Sequence, residues 1–431
     1  MLEIGRQGPF ADTGSFRRCF GIKGRSAVFW LICLILLTGC PSKPSEPPRQ
    51  PAEGPLLERI SRAQLPDFQD DDSAASLRSA IEKSLSWYTK IPEDSRVSLG
   101  RIRAPAKVMR QSMELFVSLL DSGRLNADSI SQYFDIFRVL NPDDSGKMLV
   151  TGYYEPVVEA SLKPGAKFRW PIYPVPSDLV TIELDPFDSN KFHGERLVGR
   201  LEKNLVVPYY SRSEIDGKKA LEKPGAQTAT PLAWLADPVD CFFLHIQGSG
   251  VISLSAEGRQ ARVGYAGVNG RPYHGIGKDL IESGAVSREE MSLQAIRKYL
   301  YSHPGGRDEI MWKNQSYVFF KWVSQGPVGS LGTVLTAGRS IAADPKFHPG
   351  GALAFLVSEK PVYDGSGEIL KWERFGRWVL NQDTGGAIKG PGRIDLFCGT
   401  GETAERIAGP MKQKGELYYL IKKGLVDEGP L

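Results

Sequence analysis

Cysteine and histidine are scarce in this chain of 431 residues, with five of each. No CxxC pair and no HExxH motif occurs. His193, His245, His274, His303 and His348 lie far apart, without the short spacings of a ligand set. A structural or catalytic zinc is therefore not expected. No GxSxG elbow and no complete Walker or GxGxxG loop is present; Gly275-Ile276-Gly277-Lys278 is only a fragment of one. The reading thus includes no metal and no cofactor. A charge excess of one sign is also absent, with Lys+Arg 54 against Asp+Glu 50. The first 39 residues hold five basic and two acidic side chains, which leaves 49 against 48 over the remaining 392. Nucleic-acid binding concentrates positive charge to release counterions, and this balance argues against it. No internal repeat of fixed period is visible.

What is there begins with Arg17, Arg18, Lys23 and Arg25, followed by an apolar run from Ala27 to Leu37. That run is too short to span a hydrocarbon core of about 30 Å. A basic region before a short apolar core is the pattern of a secretory signal, here residues 1–39. It ends in Leu37-Thr38-Gly39-Cys40, which resembles a bacterial lipobox, so Cys40 is the expected lipidation site and the membrane an expected partner through that anchor. Residues 40–56 are dense in Pro, Ser and Glu and read as an extended tether. Pro41, where an inner-membrane lipoprotein would carry Asp, implies the periplasmic face of the outer membrane. In that oxidising compartment Cys241 and Cys398 allow either one disulfide or two free thiols.

The apolar fraction of 41% is enough for a sizeable core, and 46 Gly with 30 Pro speak against a mainly helical protein. Three helical stripes follow the tether: Leu77, Ile81, Leu85, Tyr88; then Met109, Met113, Phe116, Leu120; then Ile130, Tyr133, Phe134, Phe137, Leu140, with Asp128 as cap. From Leu149 short apolar runs alternate with turn residues and predict β strands at 149–154, 170–175, 205–210, 241–247 and 262–268. A capping box, Ser287 with Glu290, predicts a helix through Met291, Ile296 and Leu300 that stops near Pro304. Further strands are predicted at 317–323, 352–358, 374–380, 393–397 and 417–422. The expected fold class is mainly β with N-terminal helices.

The densest chemical signal is Asn381-Gln382-Asp383-Thr384-Gly385-Gly386-Ala387-Ile388-Lys389-Gly390, then Arg393-Ile394-Asp395-Leu396-Phe397-Cys398-Gly399. Two carboxylates flank a glycine-rich turn that can fold its arms together. Asp395 alternates with Ile394 and Leu396 and so faces away from them. A carboxyl with apolar neighbours and a second carboxylate near it tends towards a raised pKa, which suits a general acid at a glycosidic oxygen. Gly385 and Gly386 leave room for a bulky chain. Asp383-Thr384-Gly385 also matches one half of an aspartic protease dyad. Such a dyad needs two copies, and the polar Asn381 and Gln382 replace the apolar strand that would precede it. Two clusters add ligand-facing groups. Phe242–Gly250 reads as a strand ending in a polar lip with Gln247 and Ser249. In Thr151-Gly152-Tyr153-Tyr154-Glu155-Pro156, only one of the two tyrosines can face a groove.

These stretches together resemble the membrane-bound lytic murein transglycosylase A family. The resemblance is carried by TGYYEP (151–156), RWPIYPVP (169–176), PYYSRSEI (208–215), FFLHIQGSG (242–250), VGYAGVNGRPYHGIGK (263–278), NQSYVFF (314–320), the 326–356 segment and NQDTGGAIKG…RIDLFCG (381–399). It implies a C-terminal 3D domain, a double-psi β-barrel named for three aspartates, here Asp344, Asp383 and Asp395. It also implies an inserted smaller β domain at 157–284, with helices and the first barrel strand at 57–156, the rest of the barrel at 285–431, and a groove between barrel and insert. The implied reaction is exo-type lytic cleavage of the β-1,4 MurNAc–GlcNAc bond of peptidoglycan with 1,6-anhydromuramoyl ends. Asp395 would be the acid/base and Asp383 its support. Thr151, Tyr153, Gln247, Ser249, Gly385, Gly386 and Lys389 would bind the glycan strand. The residues leave open whether chain ends or interiors are attacked, and cell-wall synthesis proteins are the further partners the resemblance allows. A non-catalytic peptidoglycan-binding lipoprotein is the alternative reading, against which the two retained aspartates speak.

Overall fold

The structure, a computed structural model, describes residues 56–141, 146–192, 194–222 and 228–425. The expected signal, Cys40, all but the last residue of the tether, and His193 lie outside the described residues. Among those described, no helix is long and apolar enough to cross a membrane.

Six strands form a closed ring: β1 (Met148–Glu155), β2 (Ser340–Ala343), β3 (Leu353–Tyr363), β4 (Ile369–Asp383), β5 (Arg393–Thr400) and β6 (Lys412–Lys422). Their order around the ring is β1, β6, β3, β4, β2, β5 and back to β1. β2 runs parallel to β4, and β5 parallel to β1; the other neighbours are antiparallel. This is the double-psi barrel expected, closed because β1 pairs on both its edges. Alternation explains the filling. Val150, Ile394, Leu396, Leu380 and Ala354 are fully or almost fully buried in one core cluster, so the alternate residues Thr151 and Asp395 are left outside it.

Two helices, Ala74–Tyr88 and Ala106–Asp121, cover the barrel. Their predicted stripes are the buried ones: Leu77, Ile81 and Tyr88, then Met109, Met113 and Phe116. Phe116 meets Trp378 of β4 edge-on, with centroids 4.8 Å apart. Each such side chain contributes about 1.5–3 kcal/mol by leaving water. Ser73 caps the first helix by accepting from the Ser76 N–H. Arg339, fully buried, fastens that helix and the irregular segment before it to β4. It donates to both Asp70 oxygens, to Ser76 Oγ and to the Ser73 and Trp378 carbonyls.

The third stripe is only half a helix. Asn126, not Asp128, is the cap; the helix ends at Tyr133, and Phe134–Val139 is a strand against β6. The 3.6 and 2.0 periods coincide over so short a run, and the partner strand decides between them.

The insert forms a sheet of six strands ordered 318–323, 259–268, 250–254, 157–161, 233–235 and 170–172, beside a three-stranded sheet at 179–208. The insertion expected at 157–284 ends short of its own edge strand, because Val318–Val323 pairs with Arg259–Val268. The strand expected at 241–247 is a helix, Pro238–Gln247. Asp237 caps it by accepting from the Val239 and Asp240 N–H groups, Pro238 occupies its first turn, and Gly248 at φ 78 ends it in the left-handed conformation. An unbroken apolar run does not distinguish a buried strand from a buried helix; the two ends do. Likewise Ser287 and Glu290 do bond each other, but they close a turn, and the helix begins later, at Leu293, capped by Ser292. Cys241 and Cys398 are both free thiols.

Candidate active site

β1 and β5 lie side by side in parallel register, which sets Thr151 opposite Asp395. The Thr151 hydroxyl donates to Asp395 Oδ1. Period two places Thr151, Tyr153 and Glu155 on one face of β1, and Arg393, Asp395 and Phe397 on one face of β5. Asp383 ends β4 on the same side. Its Oδ2 accepts from the Tyr153 hydroxyl at 2.9 Å, and its Oδ1 accepts from the Ser330 N–H at 2.9 Å and its neighbour Thr384 N–H at 2.8 Å. Thus four of the expected residues, Thr151, Tyr153, Asp383 and Asp395, are brought together.

The Asp395 side chain keeps only 15% of its surface open. Burial pushes its carboxyl up to about 6; Arg393 opposes the shift, and the Asp383 charge adds to it. Burial also raises Asp383, against the three donors that favour its charged form. The Tyr153 hydroxyl is held well above its usual range by burial first and by Asp383 second. In this poorly solvated floor Asp395, raised to about 6 beside a second carboxyl, can hold a proton near neutral pH.

Gln247, at the end of the 238–247 helix, accepts from the Tyr154 N–H through Oε1 at 3.0 Å. That bond fixes the amide orientation, so its NH2 group is the end left for a ligand. Ser249 follows, half-buried, on the same turn. Gly386 has open space around it, whereas a side chain at Gly385 would meet Ile388 at 2.8 Å. Lys389 is exposed and makes no ion pair among the described residues. Asp344, the third aspartate, sits apart from the carboxylate pair. It is buried and accepts from the Gly390 and Lys346 N–H groups, so it anchors the glycine-rich turn from behind.

Three residues were not singled out by the sequence. Arg393 Nη2 lies 3.4 Å from both Asp395 Oδ1 and Thr151 Oγ1, while Nη1 donates to the Ala387 carbonyl at 3.2 Å. Its position two residues before Asp395 on a strand was the available signal. Ser330 lends a backbone donor, for which no residue type could have spoken. Tyr273, on the insert, feels the charges of both Arg393 and Asp395 across the groove. Its loop is rigid: buried Asn269 donates to the Tyr210 and Gln315 carbonyls, and Arg271 Nε donates to the Tyr209 carbonyl at 2.7 Å.

Barrel, interrupting β insert and paired, largely buried carboxyls on the barrel define a class of two-domain β protein. Comparison with known proteins finds two matching regions. Residues 149–321 match the MltA specific insert domain and residues 339–421 the 3D domain. Among curated relatives, the membrane-bound lytic murein transglycosylase A of Vibrio cholerae is 28% identical over 394 residues, 90% of this chain and 93% of the relative. That of Escherichia coli is 28% identical over 407 residues, covering 93% and 97%. A crystal structure of membrane-bound lytic murein transglycosylase from Agrobacterium tumefaciens matches with a TM-score of 0.69 at 29% identity, covering 85% of this chain and 98% of that one. The chain belongs to the membrane-bound lytic murein transglycosylase A family.

Proposed function

We propose that the protein is a lytic transglycosylase that cleaves the β-1,4 MurNAc–GlcNAc bond of peptidoglycan and leaves 1,6-anhydromuramoyl ends, with Asp395 as its single acid/base. The observation that carries this is the Asp395 carboxyl itself: almost enclosed, raised to about 6, and hydrogen-bonded by Thr151 on one oxygen only. Protonated Asp395 gives its proton to the scissile oxygen, and positive charge develops on the muramoyl C1. The same carboxylate then takes the proton of the C6 hydroxyl as that oxygen closes on C1. Nucleophile and electrophile belong to one sugar, so effective molarity replaces a second catalytic carboxylate.

The surrounding groups divide the remaining work. Thr151 donates to Oδ1 and leaves Oδ2 for the substrate. Asp383, held by Tyr153, Ser330 and Thr384, keeps a second negative charge beside the site, which raises the proton affinity of Asp395 and stabilises an oxocarbenium-like charge. Gln247, Ser249 and Tyr273 are the insert's contributions to the glycan groove, and Gly386 admits the strand on the barrel side. The membrane-bound names of the relatives and the Leu37–Cys40 motif support a lipid anchor at Cys40 and a place on the periplasmic face of the outer membrane.

Mass spectrometry of digested sacculi tests the reaction. Muropeptides lighter by one water than hydrolysed ones are expected, and Asp395→Asn should fold yet release none. Hydrolysed products would make the protein a glycosidase, and no products at all a binding protein.

A further inference from the structure

Away from the carboxyl pair, a cavity of about 540 Å³ opens on the insert sheet. This lies within the roughly 300–1,000 Å³ of small-ligand sites. Its walls combine Arg259, Gln260, Arg262 and Ser324 with the apolar surfaces of Leu162 and Trp322. Trp322 is 41% exposed, a large ring to leave uncovered.

The charges around it are unbalanced. Among the described residues Glu155, fully buried, is the carboxylate paired with this lining; it lies 3.4 Å from Arg262 Nε and accepts from Thr400 Oγ1 at 2.7 Å. Arg262 Nε is itself buried and makes no hydrogen bond. Arg259 is exposed and makes no ion pair with any described residue. Arg262 answers Glu155 and Arg259 adds a second guanidinium with no partner among the described residues, so the lining is net positive and bidentate-capable, the chemistry that recognises carboxylates.

Arg262 also links the cavity to the site already described. Its partner Glu155 stands on β1, on the same face as Thr151 and four residues further along. At about 3.3 Å per residue, Glu155 is roughly 13 Å from the acid's partner. A stem of three to five residues, fully extended, spans about 10–18 Å. A peptide hanging from the muramoyl residue at Asp395 can therefore reach the cavity while its sugar stays in place.

We propose that this cavity is a binding site for the acidic peptide stem of the muramoyl residue being cleaved. Arg259 and Arg262 take its carboxylates, and Trp322 packs on its aliphatic part. The proposal rests on the peptidoglycan reading above. Arg259 and Trp322 touch neither carboxyl of the catalytic pair, so altering them changes choice of substrate and not chemistry.

The test uses purified full-length protein and two substrates: glycan strands carrying stems, and the same strands stripped by an amidase. Wild type should prefer the stem-bearing strands. Arg259→Glu should lower kcat/KM on them by about fivefold or more, the scale of one partly exposed charge contact, through KM. Trp322→Ala should act in the same direction. On stripped strands both variants should behave as wild type. Equal loss on both substrates, or no loss on stem-bearing strands, overturns the stem site. Failure of the parent reading looks different: wild type would then yield no anhydro product from either substrate.

Discussion

Asp395→Asn is expected to abolish lysis and, at neutral pH, to stabilise the fold. The native carboxyl is raised from 3.8 to about 6 by burial, with Arg393 opposing and Asp383 adding. One pKa unit is about 1.4 kcal/mol, so ionising Asp395 inside the folded protein costs about 2–3 kcal/mol relative to the unfolded chain. The sign follows from which state holds the proton. Below about pH 3.8 both states keep it, and the raised group costs nothing. Between there and about pH 6 only the native state keeps it, so wild type loses stability as pH rises, and above pH 6 the loss is complete. Asparagine has the same shape and no proton to lose. Urea unfolding of both proteins, followed from about pH 3 to pH 8, should show the variant's advantage growing by about 2–3 kcal/mol across that window. A constant gap, or one that shrinks with pH, would refute the claim that this carboxyl sits where its charge is unwelcome. It would also remove the argument for an acid held ready near neutrality.

Arg393→Met should raise the proton affinity of Asp395 further, because Arg393 is what opposes the shift; the alkaline limb of the kcat profile moves up, and Arg393→Lys moves it back. Tyr153→Phe removes a bond to a buried carboxylate. It should cost about 1.5–3 kcal/mol in thermal or urea unfolding and lower kcat rather than raise KM. Gly329→Ala drives a Cβ against the Gln382 carbonyl oxygen. The loop must shift, Ser330 loses Asp383, and kcat should fall with less change in KM. Arg339→Met strands the Asp70 carboxylate. It should destabilise the protein by about 3–5 kcal/mol in urea unfolding, although Arg339 touches no site residue.

The chemistry was more legible in the sequence than the shape that produces it. Alternation alone turned Asp395 away from Ile394 and Leu396, and the two helical stripes at 77–88 and 109–120 are buried as spaced. Parallel pairing of Thr151 with Asp395, 244 positions apart, leaves no local trace, since register between distant strands is set by the whole ring. Phe134–Val139 and Cys241–Gln247 misled for one reason: runs this short do not fix a period. At 238–247 the Asp-Pro start and the terminal glycine held the answer. Tyr273 was hidden because only tertiary structure carries its loop to the groove.

The ring closes through its first and last strands, and this has a consequence in time. Thr151 leaves the ribosome long before Asp395, with the whole insert between them, and β6 must still arrive to seal β1 against β3. A chain that stops short of β6 leaves one edge of β1 unpaired, so the strand that carries Thr151 is held on the β5 side alone.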